Sequence, residues 1–402
     1  MSSPPKPQKM LILGIMMQFV NLTGQREAYR EELAAAESAV LDSGCFVGGP
    51  EVAALERELA DFCNSDAGCD RAEPETHAIT CASGTDALTI ALMALGLKPG
   101  DEVIVPDFTF IAPAECVAFL GGIPRFADID PETLQILPSS VEALVGEKTR
   151  GIIAVDLFGQ CAPFMELRNI ASAHGLWVLE DAAQAFGATS GARRACTFSD
   201  ISITSFYPSK PLGCYGDGGA IFTSDVELAE KVRMLANHGS RERYLHETIG
   251  MNSRLDALQA AILRVKLRHL EDELKVRREN ACKYDEFFAE YNAGLRTSTG
   301  AGVSGASAGA KIVPQYIEHG CTSTYAQYTV LADDRETFIK KLDTAGIPHC
   351  IHYPQPLHEQ PCFRELAQGR ENKNAIAVSQ KVVSLPFCAF TDVDAIVEKL
   401  KQ

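Results

Sequence analysis

Basic charge is scarce in this chain. Its 402 residues carry 37 lysines and arginines against 53 acidic residues, a net charge of −16. A phosphate backbone or an anionic lipid surface needs a basic face, so neither nucleic acid nor membrane is an expected partner. An anionic nucleotide would need a local basic pocket instead. Long apolar runs are also missing. The run at 10–17 falls short of the roughly 20 residues that span a bilayer. Little charge precedes it and no cleavage site follows, so residues 1–17 read as an extension of the folded body rather than a secretory signal. None of the thirteen cysteines forms a C-x-x-C pair. That removes the spacing of zinc ribbons and of thioredoxin-like redox motifs. Free, mostly buried thiols in a reducing cytoplasm are expected. His349, His352 and His358 follow no zinc spacing, so no metal site is expected.

Nucleotide signatures are absent too. No G-x-x-x-x-G-K-[ST] occurs, and the glycine-rich run at 213–219 opens no helix, as a dinucleotide fingerprint must. Neither internal repeats nor coiled-coil heptads are present. What remains is an ordinary globular composition, 46% apolar and 22% charged, long enough for two domains. Helical periodicity covers 25–43 and 51–62. From residue 78, short apolar runs alternate with helices: strands are expected at 78–81, 102–105, 125–128, 151–156, 177–180, 201–206 and 219–223. This is an α/β pattern with a mostly parallel sheet covered on both faces. Residues 64–76, polar and irregular, read as a surface loop; a long helix is expected over about 254–291, then a flexible Gly/Ser-rich loop over 292–311. A smaller α/β unit follows over 312–402, with strands at 325–331 and 349–352. In such sheets ligands sit at the carboxyl ends of the strands.

The residues at those ends carry chemistry. The run SFYPSKPLGCYGDGG at 205–219 sets one lysine, Lys210, between an apolar stretch and a glycine-rich turn. A lysine amine condenses with an aldehyde if it is held nearby and deprotonated part of the time. Asp181 ends an apolar strand. A buried carboxylate needs a partner, and a protonated ring nitrogen is one; the alternative is a helix N-cap. Gln184 can reach a phenolic oxygen of the same ring. Ser83, Gly84 and Thr85 lie where a strand becomes a helix, and helix N-termini favour phosphate. Ser205 adds a second hydroxyl. Phe110, in DFTFIAPAE at 107–115, is placed to stack on the ring, or else is a core aromatic. His352 and Tyr353 are expected to line a substrate pocket. An amine, a carboxylate for a pyridinium nitrogen and a phosphate cradle are what pyridoxal phosphate (PLP) chemistry requires.

These motifs, in this order, resemble the PLP-dependent transferases of fold type I. More closely, they resemble the DegT/StrS-type sugar-nucleotide aminotransferases, from about residue 18 to the end. SGTDAL at 83–88, EDAAQ at 180–184 and PSKPLG at 208–213 carry the likeness. GMNSRLD at 250–256 and IHYP at 351–354, with 205–223, are most similar to the UDP-2-acetamido-2-deoxy-3-oxo-glucuronate aminotransferases. The resemblance implies a large PLP-binding domain over 18–265, with a seven-stranded sheet, and a small C-terminal domain over 266–402. It implies amino transfer from glutamate to a UDP-linked 3-oxo sugar, UDP-3-oxo-N-acetylglucosaminuronic acid, in polysaccharide biosynthesis. It implies a homodimer with active sites at the interface, where Asn252 reaches the neighbour's cofactor phosphate. Arg254, and more weakly Arg243, would bind a substrate carboxylate, and Glu115 would contact substrate. Pro113 departs from the pattern, which has threonine there. Relatives with histidine for the lysine are dehydratases, so Lys210 favours amino transfer. Two alternatives stay open: a C4 aminotransferase on another nucleotide-linked keto sugar, and a non-catalytic PLP-fold sensor or regulatory dimer. Lys210 together with Asp181 argues against the latter.

Overall fold

Seven short apolar runs assemble into one sheet in the computed structural model, which describes residues 17–65, 75–298, 310–367 and 371–402. The strands are β1 (His77–Cys81), β2 (Glu102–Pro106), β3 (Ile123–Ala127), β4 (Thr149–Val155), β5 (Trp177–Asp181), β6 (Ile201–Ser205) and β7 (Gly219–Thr223). Their spatial order is β1-β7-β6-β5-β4-β2-β3. β2 through β6 pair in parallel, while β7 runs antiparallel to both β1 and β6. The strands are apolar on both sides because helices cover both faces. Against one face pack Leu55 and Leu59 of α3 (Gly49–Asn64), Leu167 of α6 (Phe164–His174) and Leu263 of α8 (Ala257–Ser298). Against the other pack Leu88 of α4 (Gly84–Ala94), Val117 of α5 (Ala112–Phe119) and Val232 of α7 (Val226–Leu235).

The single helix expected at 25–43 is two, α1 (Leu22–Ala28) and α2 (Arg30–Ser43). Tyr29 breaks it at φ −113°, ψ 17°, and its ring stacks on His269 of α8 at 4.1 Å. A second sheet, β8 (Ile312–Pro314), β9 (Tyr328–Ala332) and β10 (Val382–Leu385), is antiparallel. The strand expected at 325–331 therefore starts three residues later. Residues 349–352 are not a strand: only Cys350 pairs, with Ser384. Pro354 and Pro356 just beyond have no N–H with which to extend a ladder. Helix α8 passes through the sequence boundary placed at 265/266. Its Leu263–Leu274 stretch packs under the large sheet, and Ala281, Tyr284 and Phe288 pack against the second. Residues 1–16, most of the 64–76 loop and most of the Gly/Ser-rich loop lie outside the described residues. Among the described residues all twelve cysteines are free, no helix is long and apolar enough to cross a membrane, and no group of three metal-ligating side chains occurs.

Candidate active site

The carboxyl edge of the large sheet brings the three motifs together. Gly219, the first residue of β7, pairs with Cys81 at the end of β1 and with Ser205 at the end of β6. The turn into α4 is thereby pressed against β6. A Cβ on Gly219 would lie 2.5 Å from the Ser83 carbonyl oxygen, and one on Gly84 would lie 2.7 Å from Ser205 Cβ. Only glycine allows this approach. Ser83 caps α4, its hydroxyl accepting from Asp86 N at 3.0 Å. The N–H groups of Gly84 and Thr85 have no backbone partner among the described residues. With the Ser205 hydroxyl beside them, they form a cradle sized and polarised for a phosphate.

Asp181, at the end of β5, is buried. Among the described residues its carboxylate accepts one hydrogen bond, from Ala183 N at 3.0 Å. Turns rather than a helix follow it, so it caps no helix. Burial pushes its pKa up to about 6, against the opposing pull of the Ala183 N–H and of Lys210. Burial lowers the Lys210 amine from its ordinary value, and Asp181 holds it up. A desolvated carboxylate with one donor suits a cationic ring nitrogen, and a lysine of lowered basicity suits an aldehyde. These residues and the cradle fit pyridoxal phosphate.

Aromatic and polar groups close the site. Gln184 is buried; its Oε1 accepts from Phe158 N at 2.8 Å and its Nε2 lies 3.4 Å from the Tyr353 hydroxyl. Tyr353 faces Phe108 and Phe110, with ring centroids 6.1 and 6.2 Å away. Phe110 is 52% exposed, so it is no core aromatic. His352 Nδ1 pairs with Ser384 Oγ at 2.9 Å, and burial, then Lys210, lowers its pKa. Glu115 is exposed on α5, next to Cys116, whose thiol contacts the Thr85 carbonyl at 3.5 Å.

Three of the sequence candidates face elsewhere. Along residues 252–256 exposure alternates: Asn252 and Arg254 are exposed, while Ser253 and Leu255 are buried. Ser253 Oγ accepts from Ala82 N (3.1 Å) and donates to Asp86 (2.6 Å), bracing the cradle from behind. Arg254 lines a cavity of about 570 Å³ with Glu56, Arg233 and Arg241, a cavity that includes neither Lys210 nor Asp181. Arg243 lies over the exposed Tyr244 ring at 5.0 Å, in the hairpin of Ser240–Glu242 and Leu245–His246. Sequence reasoning missed Ser253, although it stands inside a motif it had singled out. It also missed Lys266, a buried lysine whose Nζ donates to the Gly213 carbonyl at 2.7 Å. The fully buried Glu180 is structural: it accepts from Cys196 N, Phe198 N and Ser202 Oγ.

Comparison with known proteins agrees with this geometry. Residues 27–401 match the profile of the DegT/DnrJ/EryC1/StrS aminotransferase family. The chain belongs to this family. It is 43% identical, over 95% of its length and 98% of the relative's, to a UDP-2-acetamido-2-deoxy-3-oxo-D-glucuronate aminotransferase of Pseudomonas aeruginosa. A solved DegT DnrJ EryC1 StrS aminotransferase from Brucella abortus superposes with a TM-score of 0.83 at 35% identity, covering 96% of this chain and 98% of that one. A second solved structure, ntda from Bacillus subtilis with bound cofactor PMP, gives a TM-score of 0.82 at 28% identity, with 96% of this chain and 85% of that one covered. The fold is therefore that of the DegT family: a mostly parallel seven-stranded α/β sheet with a second, smaller sheet.

Proposed function

We propose that this protein is a PLP-dependent aminotransferase that moves an amino group from glutamate to a UDP-linked 3-oxo sugar, UDP-3-oxo-N-acetylglucosaminuronic acid. The observation that carries the reading is the convergence of Lys210, Asp181 and the Ser83–Thr85/Ser205 cradle on one sheet edge. The acceptor rests on the likeness to the Pseudomonas enzyme. When bound, pyridoxal phosphate supplies an aldehyde that takes up amino groups and a ring that accepts electrons.

The protein's residues do the rest. Ser83, Gly84, Thr85 and Ser205 would hold the phosphate at the α4 N-terminus. Asp181 would keep a proton on the ring nitrogen, and Gln184 Nε2 would be free to donate to the phenolic oxygen. Phe110 would cover the ring face. Lys210 Nζ, desolvated and less basic than usual, would be the amine that holds the cofactor's aldehyde carbon, water being lost as it does so. Once free, the same amine would take the proton from the substrate Cα and hold it for return, as general base and then acid. His352, Tyr353 and Glu115 face the substrate side. In a cytoplasmic homodimer the outward-facing Asn252 and Arg254, with Arg243, would serve the second copy's site, the arginines by pairing with a carboxylate.

The test is an absorbance titration of the purified protein. Glutamate should bleach the cofactor band, the keto sugar should restore it, and Lys210→Ala should do neither. Bleaching without restoration would reject the acceptor alone. A protein that takes up no PLP would reject the whole reading.

A further inference from the structure

One buried carboxylate ties the loop after β2 to the C-terminal part of the chain. Asp107 is fully buried. Its Oδ1 accepts from His358 N at 2.8 Å. Its Oδ2 meets His358 Nδ1 at 2.5 Å and Asn372 Nδ2 at 2.8 Å. Its own carbonyl accepts from Leu357 N at 2.7 Å. An ionised carboxylate only accepts, so His358 Nδ1 is the donor. The same Asn372 nitrogen reaches the Phe126 carbonyl at 3.2 Å, anchoring the group to β3.

The two segments so joined meet again at the candidate site. Asp107 directly precedes Phe108 and lies three residues before Phe110, and His358 lies five residues after Tyr353. The Tyr353 ring faces both phenylalanine rings. At the other end of this strap, His352 is held by Ser384. Tyr353 is therefore fixed between two anchors, and Asp107 holds both sides of its aromatic contact. Apolar side chains could join two loops without desolvating a carboxylate. A buried, fully bonded charge adds directional bonds, which set one geometry.

We propose that the Asp107–His358–Asn372 cluster is a positioning device that seats Tyr353 and Phe110 over the candidate site. Its members are positioning residues that touch neither cofactor nor substrate. The kinetic arm of the test rests on the aminotransferase reading; the exchange arm does not.

The experiment compares wild type, His358→Ala and His358→Gln, all loaded with PLP. Hydrogen exchange is followed across 350–360 and 106–112, together with the rate of the glutamate half-reaction. In H358A, exchange over 350–360 should rise by about tenfold or more while β4 and β5 stay protected. The half-reaction should slow by about 10- to 100-fold, the scale of a small misplacement. H358Q, whose amide still donates to Asp107, should recover most of both. Unchanged exchange and rate in H358A would overturn the proposal, as would equal loosening of the whole sheet or a rate loss that H358Q shares in full. If H358A does not fold, Asn372→Ala decides: local loosening with a slowed half-reaction in N372A, with H358Q near wild type, supports the proposal, and wild-type behaviour of N372A rejects it. If wild type itself shows no glutamate half-reaction, the aminotransferase reading fails, and the exchange pattern still judges the clamp.

Discussion

Lys266 Nζ donates to the carbonyl of Gly213 at 2.7 Å, from beneath the turn that carries Lys210. The amine also sits 4.2 Å from the centre of the Tyr215 ring. Burial lowers its pKa to about 8, against the pull of Glu273 and Cys214. The helix under the sheet thus grips the turn that presents Lys210.

Lys266→Met should separate grip from stability. It strands the Gly213 carbonyl, at about 1–3 kcal/mol, but removes the cost of desolvating a charge, which is of similar size. Net stability at pH 7 should therefore change by less than about 2 kcal/mol, while PLP dissociates faster. The sign with pH is distinctive. The folded pKa lies below the unfolded value, so wild type gains stability as pH rises from 8 toward 10. Denaturant unfolding at pH 7 and 9.5 should show that gain in wild type and not in K266M.

Asp181 predicts how the apoprotein takes up its cofactor. Its folded pKa of about 6 lies above the ordinary carboxylate value. In the apoprotein its contribution to stability is full at low pH and is lost as pH rises through 6. A ring nitrogen needs the ionised form, so PLP affinity should fall by about tenfold per pH unit below 6. Titrations from pH 5 to 8 in wild type and Asp181→Asn check this, because the titration of PLP itself cancels in the difference. The same pH slope in both proteins would reject the assignment.

Gly219→Ala tests the cradle. The new Cβ would lie 2.5 Å from the Ser83 carbonyl oxygen and 2.9 Å from Gly84 N, backbone atoms of the cradle itself. A loss of about 1–3 kcal/mol is expected, with weakened PLP binding. Gly146→Ala, where nothing lies within 4 Å of the added carbon, should change stability by less than about 0.5 kcal/mol. Thermal melts and PLP titrations of the two variants read the contrast.

Mixing variants tests whether Arg254 acts across a dimer. Lys210→Ala and Arg254→Ala should each be inactive alone. If the arginine serves the neighbouring site, random mixed dimers rebuild intact sites, and about a quarter of wild-type activity should return. No recovery, with subunit exchange shown by mass spectrometry, would place Arg254 in its own subunit's site.

Local pattern determined much of this protein. Short apolar runs marked all seven strands of the large sheet, and Thr85, Asp181, Ser205 and Lys210 read as lying at or just beyond strand ends. Those signals are readable because each depends on a few consecutive residues. The break at Tyr29 was hidden, because it depends on a stacking partner, His269, far along the chain. Residues 349–352 read as a strand by composition, but pairing is a property of two segments, and only Cys350 finds a partner. The roles of Ser253, Lys266 and the Asp107–His358–Asn372 cluster were equally invisible. A lone serine, lysine or histidine carries no periodic signature. Its role appears only when folding removes water from it and dictates which distant donor or acceptor must replace that water.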